Sequence, residues 1–246
     1  MSRTRLLIKN NLCTGAELQI NAVQSRYIGR ALRLRVGDGL VVFNGEDGEW
    51  TATIASMNKN SAVLRVGEKR EVATESRLRV HLVQGISRGE RMDFVVQKAT
   101  ELGVKRITPV LTEYGVTKFD GERAEKRRKH WQGVAESACE QSGRIRPPLI
   151  DAPLPLKTWF GQKTSTDSTE LILRPGTELE LSSISPPKTK VCVLIGPEGG
   201  FSDREYDDAA AAAFTAVSLG PRVLRTETAA VAALTIVQGY WGDMSP

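Results

Sequence analysis

The five apolar residues Val191-Cys192-Val193-Leu194-Ile195 run without a polar break and stop in Gly196-Pro197-Glu198-Gly199-Gly200. An unbroken apolar run of strand length has no solvent face. It reads as a strand buried on both sides, the place of a central strand in a parallel sheet covered by helices. The glycines that follow allow a ligand to approach the main chain closely. In open α/β sheets, ligands sit beyond the carboxyl ends of the strands. An ordinary βα turn uses the same residues, so the strand context is what favours binding. The spacing matches neither the phosphate-binding loop with its lysine nor G-x-G-x-x-G, which argues against ATP hydrolysis and nicotinamide redox chemistry.

The rest of the chain falls into two patterns. Residues 1–72 read as short strands: Leu6–Ile8, Leu40–Asn44, Gly48–Ala55 and Ser61–Val66, with a basic helix around Gln24–Leu34. Such spacing suggests a small barrel. The polar stretch Lys69–Ser76 marks the domain boundary. Residues 73–246 alternate strands and helices, the mark of an α/β domain. Strands are expected at Leu78–Ile86, Ile107–Leu111, Leu171–Leu173, Val191–Ile195 and Ala216–Leu219. Helices are expected after a capping box at Ser87/Glu90, over Glu122–Gln141, over Asp203–Phe214 behind a box at Ser202/Glu205, and over Arg225–Tyr240. Thr164–Thr169 and Ser182–Lys190 read as loops.

Composition removes several function classes. The cysteines Cys13, Cys139 and Cys192 are three in number and widely spaced, and the histidines are His81 and His130 alone. No disulfide framework, metal site or histidine-based triad is indicated. Cys139 and Cys192 lie in apolar settings unsuited to a nucleophile. Trp131, Trp159 and Trp241 read as packing residues, and Trp50 as barrel core or surface cover. No apolar run is long enough for a membrane span, and the N-terminal run is too short for a secretory signal, so a cytoplasmic protein is expected. The net charge is +5, yet residues 1–35 carry seven Lys/Arg and one acid, so the whole excess is N-terminal. A basic patch of this kind suits a polyanion, although a solvated basic face has the same composition.

A second turn repeats the logic of the first. In Leu219-Gly220-Pro221-Arg222-Val223-Leu224-Arg225-Thr226-Glu227-Thr228, a strand stops at Gly220 and Pro221 forbids its continuation. A helix then starts, capped by Thr226 or Thr228. Such a turn offers backbone groups to an adenine edge, with Leu219 and Leu224 against its faces. A plain strand–helix connection is the alternative.

Taken together, Ile195–Phe201 and Leu219–Ala229 resemble the signature of the RsmE family, SPOUT-class ribosomal RNA small-subunit uridine-N3 methyltransferases. Arg88-Gly89-Glu90-Arg91-Met92-Asp93, Gln97–Gly103 and Ala138–Arg144 fit the same family, and the likeness runs from about residue 3 to 240. The resemblance implies a PUA-like N-terminal β-barrel for RNA binding over 1–72. It implies a C-terminal SPOUT α/β domain with a deep trefoil knot over 73–246. It also implies S-adenosylmethionine as methyl donor, a homodimer, and a uridine of small-subunit (16S) ribosomal RNA as substrate, within an assembled or nearly assembled 30S particle. No metal and no membrane are implied.

By the same resemblance, the donor pocket is drawn from Ile195, Gly196, Pro197, Glu198, Gly199, Gly200, Leu219, Gly220, Val223, Leu224, Arg225 and Thr228. Arg225 directly follows the second turn and is the candidate for contacting the uracil or its phosphate, with an ion pair at the helix start as the other reading. Glu140 and Glu227 are candidates for general base, and each has a structural alternative. Glu198 is placed near the sulfonium or amino group, or shapes its own loop. Arg3, Arg5, Arg26, Arg30, Arg88, Arg91, Arg144 and Arg146 are candidate RNA contacts. Two other functions remain: a SPOUT methyltransferase acting on another RNA or atom, and a non-catalytic RNA-binding ribosome-assembly factor.

Overall fold

The computed structural model describes residues 4–46, 48–115, 121–163 and 167–244. Arg3, Asp47 and the first part of the Thr164–Thr169 loop lie outside the described residues. The chain divides into two compact units, Met1–Glu75 with Cys139–Arg146, and Ser76–Ala138 with Pro147–Pro246.

The first unit is a five-stranded sheet. Its strands are β1 (Arg5–Leu7), β2 (Glu17–Ile20), β3 (Gly39–Phe43), β4 (Glu49–Met57) and β5 (Ala62–Arg70), in the order β1-β3-β4-β5-β2. Register shifts between Trp50 and Ala52 and between Ile54 and Ser56 interrupt the β4–β5 ladder. Such bulges bend and twist a strand, which is how a short meander curls around one core. Among the described residues β1 and β2 remain the two edges of this ladder, so the unit is a curled, PUA-like half-barrel. The concave face is filled by Leu6, Ile20, Ile28, Leu40, Val42, Trp50, Ile54 and Leu64. The basic helix differs from expectation. It starts earlier, as α1 (Ala22–Arg26), because Asn21 and Gln24 form a capping box, and it continues into a π turn over Tyr27–Ala31.

The second unit is a fully parallel sheet of seven strands. They are β6 (Arg79–Gly85), β7 (Arg106–Leu111), β8 (Leu149–Ile150), β9 (Leu154–Pro155), β10 (Thr169–Leu173), β11 (Lys190–Ile195) and β12 (Thr215–Val217). The order is β12-β10-β11-β6-β7-β8, with β9 also pairing β7. β11 sits between β10 and β6, and Val191–Ile195 are all buried, as an unbroken apolar run requires. Helices α2 (Arg91–Glu101), α3 (Gly121–Ser142), α4 (Leu156–Gln162), α5 (Asp203–Ala211) and α6 (Thr226–Trp241) complete the unit, except that the last turn of α3 is grouped with the first. α6 packs on α2 through Ala230, Ala233, Leu234 and Val237, which are all buried.

Two capping expectations need correction. The Ser87/Glu90 box does not form: α2 begins at Arg91, Glu90 makes no side-chain cap, and the buried Ser87 hydroxyl has no partner among the described residues. Neither Thr226 nor Thr228 caps α6, since Arg225 is the N-cap residue and makes no side-chain cap. The Ser202/Glu205 box is present as expected. Its helix ends at Ala211 and not Phe214, because Ala213 takes a left-handed conformation (φ 66°) that an α-helix cannot continue through. α4 and β2 carried no periodic signal long enough to be read from sequence.

Candidate active site

β11 delivers Ile195 to its carboxyl end, and the loop Gly196–Gly200 turns there into α5. β12 ends nearby, and the chain returns through Gly220 to the start of α6. Left-handed backbone at Gly200 and Gly220 (φ 70° and 86°) makes both turns tight in a way that a side chain would oppose. The two turns are tied together. The Thr226 hydroxyl donates to the Gly196 carbonyl at 2.6 Å and accepts from Gln84 Nε2 at 3.0 Å. The Gln84 amide also reaches the carbonyl of Gly85 at 3.1 Å. Gly85 packs so closely on Pro197 that an added Cβ would lie 2.4 Å from the proline ring. β6, β11 and α6 are thus clamped at one point.

Between the turns lies a cavity of about 610 Å³. Ile195, Gly196, Pro197, Glu198, Gly199, Gly200, Val223, Leu224, Arg225 and Glu227 line it. A smaller adjoining cavity contains Leu219 and Gly220 and shares Leu173, Pro175, Leu224 and Ala229 with the first. Thr228 lines neither. Three lining residues lie outside the motif segments read from sequence: Leu173, Pro175 and Tyr206. Leu173 ends β10, the neighbour of β11, and Pro175 follows it, so strand adjacency is the signal that would have found them. Gln84 was also missed, for a buried glutamine in an apolar strand has no motif.

The charges in this cavity are unevenly satisfied. Arg91 pairs with Glu198, and its Nε lies 3.8 Å from Glu227. Burial pushes the Glu198 carboxyl up, but hydrogen bonds from its own amide, the Arg91 side chain and the Arg88 amide together hold it below the usual range. Arg91 and the Arg88 backbone thus serve the pocket wall. Glu227 Oε2 is buried and among the described residues has no hydrogen-bond partner. Arg225 is exposed on the rim, and among the described residues its guanidinium has no ion pair. A cavity with two carboxylates, one of them under-satisfied, favours a ligand carrying positive charge and N–H donors. Its apolar walls suit an aromatic ring.

The other predicted residues lie elsewhere. Glu140 belongs to the first unit, where Oε1 accepts the Leu7 amide at 2.9 Å. Arg5 pairs with Glu49, donates to the Arg144 carbonyl at 3.0 Å and lies over the Phe43 ring. Arg144 is 3% exposed and pairs with Glu75 at 2.9 Å. These two guanidiniums are used inside the unit. Arg26, Arg30 and Arg146 are exposed, and Arg146 Nε also donates to the Glu46 carbonyl at 2.7 Å. Arg3 lies outside the described residues. Among the described residues no cluster of His, Cys, Asp or Glu could hold a metal ion, and no helix is long and apolar enough to cross a membrane.

Comparison with known proteins agrees with this geometry. Residues 74–238 match the model of the RNA methyltransferase domain, and residues 20–67 that of the RNA methyltransferase PUA domain. The chain is 33% identical to the ribosomal RNA small subunit methyltransferase E of Buchnera aphidicola, over 98% of each chain. It superposes on the Neisseria gonorrhoeae enzyme of that name, solved with bound S-adenosylmethionine, with a TM-score of 0.92 and 34% identity, covering 99% of this chain and 100% of that one. A Legionella pneumophila protein, also solved with S-adenosylmethionine, gives a TM-score of 0.94 and 37% identity over 99% of this chain and 100% of that one. The chain belongs to the ribosomal RNA small subunit methyltransferase E family.

Proposed function

We propose that this protein transfers a methyl group from S-adenosylmethionine to N3 of a uridine in the 16S RNA of the small ribosomal subunit. The observation that carries the reading is the cavity between the Gly196 and Gly220 turns, with the partnerless Glu227 Oε2 inside and Arg225 on its rim. The residues present fit the donor: apolar walls for an adenine ring, and the Glu198 carboxylate for its cationic end. When bound, the donor supplies an electrophilic methyl on a sulfonium.

The chain's own groups orient and activate the nucleophile. Uridine N3 carries a weakly acidic proton. Glu227 accepts it, which directs its buried oxygen to a use that the free pocket lacks. Loss of that proton leaves a negative charge shared by N3 and the two uracil carbonyl oxygens, where Arg225 can donate. A base held in RNA structure is splayed out to reach the rim. Arg26, Arg30 and Arg146 supply phosphate contacts. The cytoplasm, an assembled 30S particle as substrate, and a homodimer belong to the same reading.

The test is methyl transfer to 30S particles and to naked 16S RNA, with nucleosides identified by mass spectrometry. N3-methyluridine is expected, and a different methylated nucleoside overturns the assignment. Arg225→Ala is expected to lower methyl transfer at least a hundredfold while changing donor affinity less than threefold by calorimetry. Equal loss of both would make Arg225 a structural residue.

A further inference from the structure

At the opposite, amino-terminal ends of the sheet strands lies a second cavity, of about 500 Å³, with no part in the reaction above. Arg79 opens β6, Arg106 opens β7 and Lys190 opens β11, and all three line it together with Lys105 and Lys163. Arg79 and Lys190 are direct register partners on adjacent strands. Like charges placed opposite each other destabilise a sheet, so this pairing has a cost that an anion between them would offset.

Carboxylates answer only part of this charge. Arg106 is held by Asp151 at 2.7 Å, Lys163 by Glu170 at 3.1 Å and Lys190 by Asp167 at 3.4 Å. Among the described residues Arg79 has no ion-pair partner. The inner wall is of another kind. Trp159 and His81 stand edge to face, with centroids 6.0 Å apart. His81 Nε2 is 2.7 Å from the Thr108 hydroxyl, and burial holds the imidazole neutral at pH 7. Glu170, buried at the wall, places Oε1 on Lys163 and Ser168, and the Cys192 thiol also donates to this carboxylate, while among the described residues Oε2 receives no N–H or O–H donor. Beside it is Cys192, whose thiol burial and this carboxylate keep protonated.

We propose that this cavity binds a nucleoside phosphate: phosphate against the Arg79–Lys190 rim, base against Trp159, and a base or sugar N–H or O–H on Glu170 Oε2. Each requirement comes from a different residue, and a bare anion meets only the first. The nucleotide can be free or part of an RNA strand.

The experiment uses the full chain saturated with S-adenosylmethionine, so that the methyl-donor pocket is filled. Uridine 5′-monophosphate, inorganic phosphate and a single-stranded RNA hexanucleotide are titrated by calorimetry and tryptophan fluorescence. The monophosphate is expected to bind saturably and at least tenfold more tightly than inorganic phosphate. The double substitution Arg79→Glu, Lys190→Glu is expected to weaken it at least tenfold with S-adenosylmethionine affinity unchanged. Should that variant lose S-adenosylmethionine binding, Arg79→Ala at its exposed site replaces it in the test. Competition by the hexanucleotide, also lost in the variant, identifies RNA as the source, and absence of competition identifies the free nucleotide. The proposal is overturned if neither nucleotide nor hexanucleotide saturates, if phosphate binds as well as the monophosphate, or if the charge reversal changes nothing.

Discussion

Thr226 illustrates how one hydroxyl holds a site together. It bridges the Gly196 carbonyl and the Gln84 amide, and so closes the loop after β11 onto the start of α6. Thr226→Val keeps the shape and strands both partners. Leaving buried polar groups unmade costs about 1–3 kcal/mol, and part of that loss falls on the donor pocket. The expected outcome is a melting temperature lowered by several degrees and a donor affinity weakened several-fold by calorimetry, whereas unaltered affinity would show that the clamp does not shape the pocket. His81 gives a pH prediction. Burial, aided by Arg106 and opposed by Asp151, lowers its pKa from 6.5 to about 4. Between those values the unfolded chain holds the proton and the folded chain does not, so stability falls as pH falls through that window. The full effect is about 3 kcal/mol as an order of magnitude. His81→Asn should flatten the stability curve between pH 6.5 and 4 in chemical denaturation, and an unchanged slope would assign the dependence to other groups.

Among the elements, α5 shows what a cap can do beyond its own helix. Ser202 accepts the Glu205 amide, and Glu205 returns Oε2 to the Ser202 amide. Glu205 Oε1 also accepts the Glu113 amide at 2.9 Å, so the same carboxylate fastens the segment after β7. Ser202→Ala removes one cap bond and should cost about 1 kcal/mol. Glu205→Ala removes two acceptors and should cost at least twice that figure, about 2–3 kcal/mol. Urea unfolding of the two variants decides this, and equal losses would mean that the Glu113 contact contributes nothing. The capping box was legible at Ser202/Glu205 because spacing alone specifies it. The identical spacing at Ser87/Glu90 failed because the chain there leaves β6 in a conformation that buries Ser87 and starts the helix at Arg91.

For the molecule as a whole, the basic excess separates into two populations. Arg26 and Arg30 are exposed, while the half-buried Arg5 and the buried Arg144 are held in ion pairs with Glu49 and Glu75. Phosphate contacts contribute about one unit each to the slope of log affinity against log salt. Arg26→Glu with Arg30→Glu should therefore reduce the slope for 16S RNA binding by about 2 and leave the melting temperature nearly unchanged. Arg144→Ala should do the reverse, lowering stability by about 3 kcal/mol because a buried ion pair is broken while Glu75 keeps only weaker partners such as the Arg146 amide. Filter binding over a salt series, beside thermal melts, distinguishes the two groups, and a shared slope change would refute the division.

The sequence by itself determined the strand–helix alternation, the buried central strand Val191–Ile195 and the two turns that line the cavity, since periodicity, glycine and proline act locally. It also carried the motifs by which Arg225 and Glu198 were named. The tertiary structure alone decided which arginines face solvent, because burial depends on partners such as Glu49 and Glu75 that lie far along the chain. It alone placed Glu140 on the Leu7 amide and Glu227 in the pocket, two glutamates that composition cannot tell apart. It alone also put Gln84, Leu173 and Tyr206 at the site and brought Arg79 opposite Lys190. Strand order is a long-range pairing that no window of neighbouring residues encodes.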